Sequence, residues 1–188
     1  NVDSALILSG KGLAFAKASQ TEKYIADFYN LLGSVYYVKG EYDSAVVYYK
    51  YTAELRRQNH DKGGTSGALN NLGNALTQKS DYAEALDVFR QALEIKSELE
   101  DQKGMAGIYN NMGTIYLKTG NYAEALTYYQ KSLEVREKLE DEKGISACYN
   151  NIGLVHWTQG NFELAIDYYK KSLPFMQKAN DLYNVSNC

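Results

Sequence analysis

The stretch Gly107-Ile108-Tyr109-Asn110-Asn111-Met112-Gly113-Thr114-Ile115-Tyr116, followed by Gly120-Asn121-Tyr122-Ala123-Glu124-Ala125-Leu126-Thr127-Tyr128-Tyr129, decides the fold because it recurs every forty residues. Leu69-Asn70-Asn71-Leu72-Gly73 stands one step before it, and Tyr149-Asn150-Asn151-Ile152-Gly153 one step after. Two steps back the same place reads Tyr29-Asn30-Leu31-Leu32-Gly33. Ala5, Ala45, Ala85, Ala125 and Ala165 keep the beat, as do Tyr42, Tyr82, Tyr122 and Phe162, and Tyr49, Phe89, Tyr129 and Tyr169. No gap is needed. A fixed period of this size means like units stacked in an array rather than one globular core.

Each unit reads as two helices. In the unit 101–140, Asp101 is an N-cap, since its carboxylate can accept from the free amides of a first turn. Ile108, Met112, Ile115 and Tyr116 then recur at helical spacing. Gly120-Asn121 breaks the pattern, and Asn121 with Glu124 makes a capping-box pattern for a second helix, as Asp81 with Glu84 does one unit earlier. Ala125, Leu126, Tyr129, Leu133 and Leu139 form its apolar stripe. Thr21, Asp61, Asp141 and Asp181 are the caps expected to open the other first helices. A mid-helix glycine costs up to about 1 kcal/mol against alanine, so the recurrence of Gly33, Gly73, Gly113 and Gly153 implies close packing, with Ala45, Ala85, Ala125 and Ala165 as expected partners.

Composition narrows the chemistry. The chain has 188 residues, 45% of them apolar, with 20 Lys and Arg against 23 Asp and Glu. A net charge of −3 without a basic block points away from nucleic acid and anionic membranes. No apolar run approaches the roughly 20 residues of a spanning helix, so membrane insertion is not expected. Cys148 and Cys188 make neither a disulfide framework nor a zinc spacing. The two histidines, His60 and His156, leave little for histidine chemistry, and no catalytic constellation, metal site or cofactor loop can be argued. His156 replaces the core tyrosine of other units and reads as a packed residue; Cys148 reads as a small buried thiol. Free cysteine fits a reducing interior, although a removed signal peptide would leave a periplasmic chain looking the same.

These residues resemble the tetratricopeptide repeat (TPR). The signature stands here as Tyr109-x-x-Met112-Gly113-x-x-Tyr116, then Ala125-x-x-x-Tyr129, with copies at Tyr29, Leu69 and Tyr149. The resemblance covers a single array over 1–188: full units at 21–60, 61–100, 101–140 and 141–180, a truncated second helix at 1–20, and the start of a further first helix at 181–188. The step of forty is longer than the usual unit, a form similar to TPR arrays of cell-polarity adaptors and of bacterial peptide receptors and sensor kinases. The resemblance implies an all-α fold, an α-solenoid of stacked antiparallel helix pairs in a right-handed superhelix, with first helices lining the concave side.

By the helical wheel, the residues offset from the core face are Asn30, Ser34, Tyr37 and Val38; Asn70, Asn71, Asn74, Thr77 and Gln78; Asn110, Asn111, Thr114, Leu117 and Lys118; and Asn150, Asn151, Leu154, Trp157 and Thr158. By resemblance these border the groove. A carboxamide both donates and accepts, so it can pair with a peptide group's C=O and N–H. First helices about 10 Å apart would offer an amide to about every third residue of an extended peptide advancing ~3.3 Å per residue. Tyr37, Leu117, Leu154 and Trp157 would then choose side chains. The residues leave a second role open: the asparagines bond to the neighbouring unit and meet no ligand. TPRs that clamp carboxylates use lysine and arginine on this wall, where this chain has Lys118 alone, so no such clamp is expected.

Two functions follow from the resemblance: a scaffold binding an extended peptide or partner segment, and a sensory or dimerisation segment of a larger bacterial signalling protein. An enzyme finds no support in the residues. Helices at both ends with uncovered apolar faces would also favour end-to-end self-association.

Overall fold

The structure is a computed structural model. It describes the backbone of residues 2–18 and 22–185, and side chains within 9–16, 18 and 24–178. Among the described residues there are nine helices and no strand: α1 (Val2–Ala18), α2 (Glu22–Lys39), α3 (Tyr42–Gln58), α4 (Lys62–Gln78), α5 (Tyr82–Glu98), α6 (Gln102–Lys118), α7 (Tyr122–Lys138), α8 (Glu142–Thr158) and α9 (Phe162–Val185). The chain divides into two compact units, Asn1–Glu100 with α1–α5 and Asp101–Cys188 with α6–α9. Within each unit every helix packs on its successor, so the units are stacks of antiparallel helix pairs.

The turns show why the helices end where they do. Gly40, Ser80, Gly120 and Gly160 close the first helices in the left-handed region, and His60, Glu100 and Glu140 do the same after second helices. The bonds are those of a Schellman closure. After α4, Ser80 N–H donates to Thr77 C=O at 3.2 Å and Asp81 N–H to Leu76 C=O at 2.9 Å. Three residues, Lys79 to Asp81, then suffice to reverse the chain.

Asp61, Asp101 and Asp141 cap α4, α6 and α8, accepting from the amides of Gly64 (2.8 Å), Gly104 (2.8 Å) and Gly144 (3.1 Å). The second oxygen of Asp61 and of Asp141 pairs with Arg56 and Arg136, each at 2.7 Å. A Cβ on Gly144 would lie 1.9 Å from Arg136 Nη1, which explains glycine at that place. The capping boxes expected for α5 and α7 are not formed: neither Asp81 nor Asn121 makes a side-chain cap bond. Asp81 turns back to Lys79 at 3.0 Å, Glu84 pairs with Lys50 at 2.8 Å, and Asn121 donates to the Thr119 hydroxyl at 3.3 Å. The cap expected at Thr21 lies outside the described residues. Asp181 opens no new helix, because α9 passes through it unbroken to Val185, with no left-handed residue among those described to reverse the chain.

The nearest atoms facing the mid-helix glycines belong to aromatic rings. A Cβ built on Gly33, Gly73, Gly113 or Gly153 falls within 2.8 Å of the ring of Tyr49, Phe89, Tyr129 or Tyr169 respectively, and Ala165 contributes only a backbone oxygen at 3.3 Å from Gly153. The rings lie sixteen residues downstream and enter the first helix through the gap glycine leaves. In the second unit they help build a core of Ala125, Tyr129, Leu133, Ile145, Cys148, Ile152 and Val155. Cys148 is fully buried with its thiol on Ser132 Oγ at 3.3 Å, and burial pushes that thiol's pKa up. His156 takes the tyrosine's place in a recurring ring stack: Tyr36 on Tyr48, Tyr116 on Tyr128 and His156 on Tyr168, all at 5.3 Å.

Candidate functional site

The core side of α4 is made by Leu69, Leu72, Gly73 and Leu76, all buried. With 100° between successive residues, the opposite strip runs through Gly67, Asn70, Asn71, Asn74 and Gln78. Gly67, Asn70, Asn71 and Asn74 are half-buried, and Gln78 is exposed. On α6 the strip holds Gly107, Asn110, Asn111, Thr114 and Lys118; on α8 it holds Ala147, Asn150, Asn151, Leu154 and Thr158, with Trp157 at its edge.

The structure brings asparagines of neighbouring repeats together inside each unit. Asn71 Nδ2 donates to Asn30 Oδ1 at 3.2 Å, and Asn151 Nδ2 donates to Asn110 Oδ1 at 2.7 Å. The bonded partners are 41 residues apart in both cases, so one repeat's geometry is reproduced in the other unit. Each bond uses one N–H of the donor and one lone pair of the acceptor. An amide has two N–H groups and an oxygen with two lone pairs, so these bonds alone leave donors and acceptors on both partners. A further rung in the first unit is Gln78 Nε2 to the Tyr37 hydroxyl at 3.4 Å.

Other sequence-derived groove residues have structural partners, Thr114 and Ser34 among them. Thr114 Oγ1 donates to Asn110 C=O at 3.1 Å and accepts from the Tyr129 hydroxyl at 3.2 Å. Ser34 repeats this relay, donating to Asn30 C=O at 3.0 Å and accepting from the Tyr49 hydroxyl at 3.2 Å. Burial raises the pKa of both phenols, with the bond to Ser34 or Thr114 a smaller opposing effect. Where Phe89 replaces tyrosine, the position of the hydroxyl is taken by Asn74, whose neighbour ring has nothing to donate. Thr77 departs from the expected groove set: it is buried, with its hydroxyl on Gly73 C=O at 2.7 Å. Its side chain is too short to emerge where Tyr37, Leu117 and Trp157 do. Asn150 is exposed, and Leu154 and Trp157 are 41% and 51% exposed.

Sequence reasoning missed two features here. Phe162 sets its ring edge-on to Trp157 at 4.9 Å, a pairing matched by Tyr37 on Tyr42 three repeats earlier. Gly67 and Gly107 sit on the midline of their strips with nothing within 4 Å of a Cβ built on either, unlike the glycines that receive rings. Their signal was a second glycine in each first helix at the forty-residue step. Among the described residues no group of three or more His, Cys, Asp or Glu could hold a metal ion, and no helix is long and apolar enough to cross a membrane.

The tetratricopeptide repeat model matches residues 24–98 and 104–178. No curated protein sequence matches the chain significantly. Among solved structures, BtubC (BKLC) from P. vanneervenii is 22% identical with a TM-score of 0.83, over 95% of this chain and 74% of that one. A Rap protein complexed with Competence and Sporulation Factor is 18% identical with a TM-score of 0.75, over 87% of this chain and 48% of that one. The PH0952 signal transduction ATPase of Pyrococcus horikoshii, which carries a tetratricopeptide repeat sensor, is 20% identical with a TM-score of 0.78, over 99% of this chain and 30% of that one. This chain thus spans less than half of the latter two. Two repeat-family matches that together cover most of its length place the chain in the tetratricopeptide repeat family.

Proposed function

We propose that the chain is a protein-interaction module that grips an extended peptide along the amide-bearing strips of its first helices. The inter-repeat bonds left open as a second role for these asparagines are formed, Asn30 with Asn71 and Asn110 with Asn151, and the observation that carries the reading is that the paired amides stay half-buried with bonding capacity to spare. Pairing fixes the rotamers of long-lived polar groups, so less side-chain entropy is lost when a peptide group bonds to them. Asn70, Asn74, Asn111 and Asn150 extend the same neutral surface. At about 0.5–1.5 kcal/mol per net hydrogen bond, several such contacts give affinity with little sequence choice. The Rap complex with Competence and Sporulation Factor supports the reading at the level of a shared fold. A direct test titrates a pool of blocked random hexapeptides against the chain by fluorescence anisotropy. Asn111→Ala/Asn151→Ala is expected to weaken binding several-fold with little change in melting temperature. Unchanged binding in that variant ends the case for these amides.

A sensory input segment of a larger signalling protein is the second reading, favoured by the likeness to PH0952, whose repeats are a sensor. Peptide gripping would be its input. Self-association is a further part of the proposal. Phe162, Ile166, Leu173 and Met176 are exposed along one face of α9, whereas Leu133, the α7 counterpart of Leu173, is buried beneath α8. A second copy covering this face would appear as a concentration-dependent mass in light scattering, abolished by Ile166→Lys; a strict monomer at high concentration ends this part.

A further inference from the structure

We propose that the second unit seats a bulky apolar side chain of an uncharged, extended peptide on Leu154 and Trp157, an inference that rests on the peptide-gripping reading above and names the class of peptide it takes. Leu154 is 41% exposed, Trp157 51% and Phe162 53%, and they stand together toward the end of a strip whose other side chains are Ala147, Asn150, Asn151 and Thr158. The helix pair does not require apolar bulk at the place of Leu154. The residue equivalent to Leu154 is Ser34 on α2, Asn74 on α4 and Thr114 on α6, all polar, whereas the place of Trp157 holds Tyr37 on α2, a buried threonine on α4 and Leu117 on α6. Leu154 is therefore the one apolar residue at its place in the four repeats, and its exposed surface costs solvation without joining the core of its unit.

The indole is also held. The Phe162 ring meets Trp157 at 4.9 Å and 67°, an edge-on contact that restrains the indole plane before any ligand arrives. A restrained aromatic wall loses little freedom on binding, which is the property of residues that dominate interface affinity. Leu154 lies one turn from Asn151, whose amide is fixed by Asn110 at 2.7 Å. A peptide bonded at Asn151 through its main chain thus has apolar surface within reach of the adjoining side chain. From Gly107 to Thr114 on α6 and from Ala147 to Thr158 on α8 the strips carry no charged residue; Lys103 and Lys143 share the face only at the helix starts and Lys118 at the end of α6, so the seat itself offers no set of charges to select a charged ligand. Main-chain gripping by amides and side-chain choice by an indole wall together define an uncharged peptide with one large apolar residue.

Trp157 is the chain's single tryptophan, so its emission reports this site without a label. The probes are two pools of blocked, uncharged hexapeptides, identical except that one fixed position is Phe or Leu in the first and Ser in the second. The expected result is at least ten-fold tighter binding of the apolar pool, with a blue shift of Trp157 emission. Leu154→Ser, a surface change that keeps the tryptophan, is expected to reduce the preference to less than half while leaving helicity unchanged. Equal binding of the two pools to the native chain overturns the proposal, as does a preference that survives intact in Leu154→Ser. If both pools bind equally and Asn151→Ala weakens both, the gripping strip stands and the apolar seat alone falls. If neither pool binds, both fall.

Discussion

Removing the Asn110–Asn151 pair separates what the amides do for the fold from what they do for a ligand. The bond joins two half-buried amides at 2.7 Å on neighbouring first helices. Its net worth is about 0.5–1.5 kcal/mol. Each asparagine also sits inside a helix, where alanine is favoured by up to about 0.7 kcal/mol. A single Asn110→Ala or Asn151→Ala change therefore nets between roughly zero and 0.8 kcal/mol of destabilisation. The double variant loses the bond once but gains propensity twice, so it comes out about as stable as the native chain, or up to roughly 0.9 kcal/mol more stable. In a double-mutant cycle the propensity gains cancel and the coupling left is the bond itself, about 0.5–1.5 kcal/mol. Urea denaturation of the four proteins followed by far-ultraviolet circular dichroism measures it. Coupling indistinguishable from zero would refute the pairing, and with it the idea that these side chains are prepositioned. A double variant far less stable than either single one would show the asparagines to be structural in a way the geometry does not account for.

Other consequences follow from the same geometry. Gly67→Ala should stabilise by about 1 kcal/mol, because its Cβ meets nothing within 4 Å, whereas Gly73→Ala should destabilise by about 1–3 kcal/mol against the Phe89 ring 2.6 Å away; paired thermal melts read both signs. Ser80, at φ 66°, closes α4 where a side chain is strained, so Ser80→Gly should raise stability by about 1 kcal/mol, and a loss in urea titration would contradict the Schellman closure. In a Cys188→Ser background, the buried Cys148 thiol with its raised pKa should resist iodoacetamide at pH 8 until the chain unfolds, and modification at the rate of a free thiol would contradict the packing.

The helices, their pairing and the Asp61, Asp101 and Asp141 caps were legible because each depends on residues close in sequence and repeated at a constant step. The capping boxes failed for a reason of competition. Asp81 has Lys79, and Asn121 has Thr119, two residues back across a left-handed turn, and those partners outbid the first-turn amide. The rings that face the glycines were not legible because the sequence shows which positions are small, but not which facing side chain is long enough to fill the gap. Phe89 reaches Gly73 from sixteen residues downstream, a contact no spacing of small residues announces. Thr77 was placed by wheel angle alone, and its length, not its angle, leaves it buried. The asparagine pairs depend on the relative register of successive first helices, a quantity set by packing. Spacing could place these amides on one strip, yet not decide that Asn71 would bond Asn30 and Asn151 would bond Asn110.

The central claim is that the strip amides themselves bond a peptide's main chain, and the side-chain NH2 signals of Asn71 and Asn151 in a ¹⁵N–¹H spectrum report that directly. Adding blocked random hexapeptides to the labelled chain should move both signals saturably, ahead of those from asparagines and glutamines off the strips. Peptide that binds while both signals stay fixed would contradict the account.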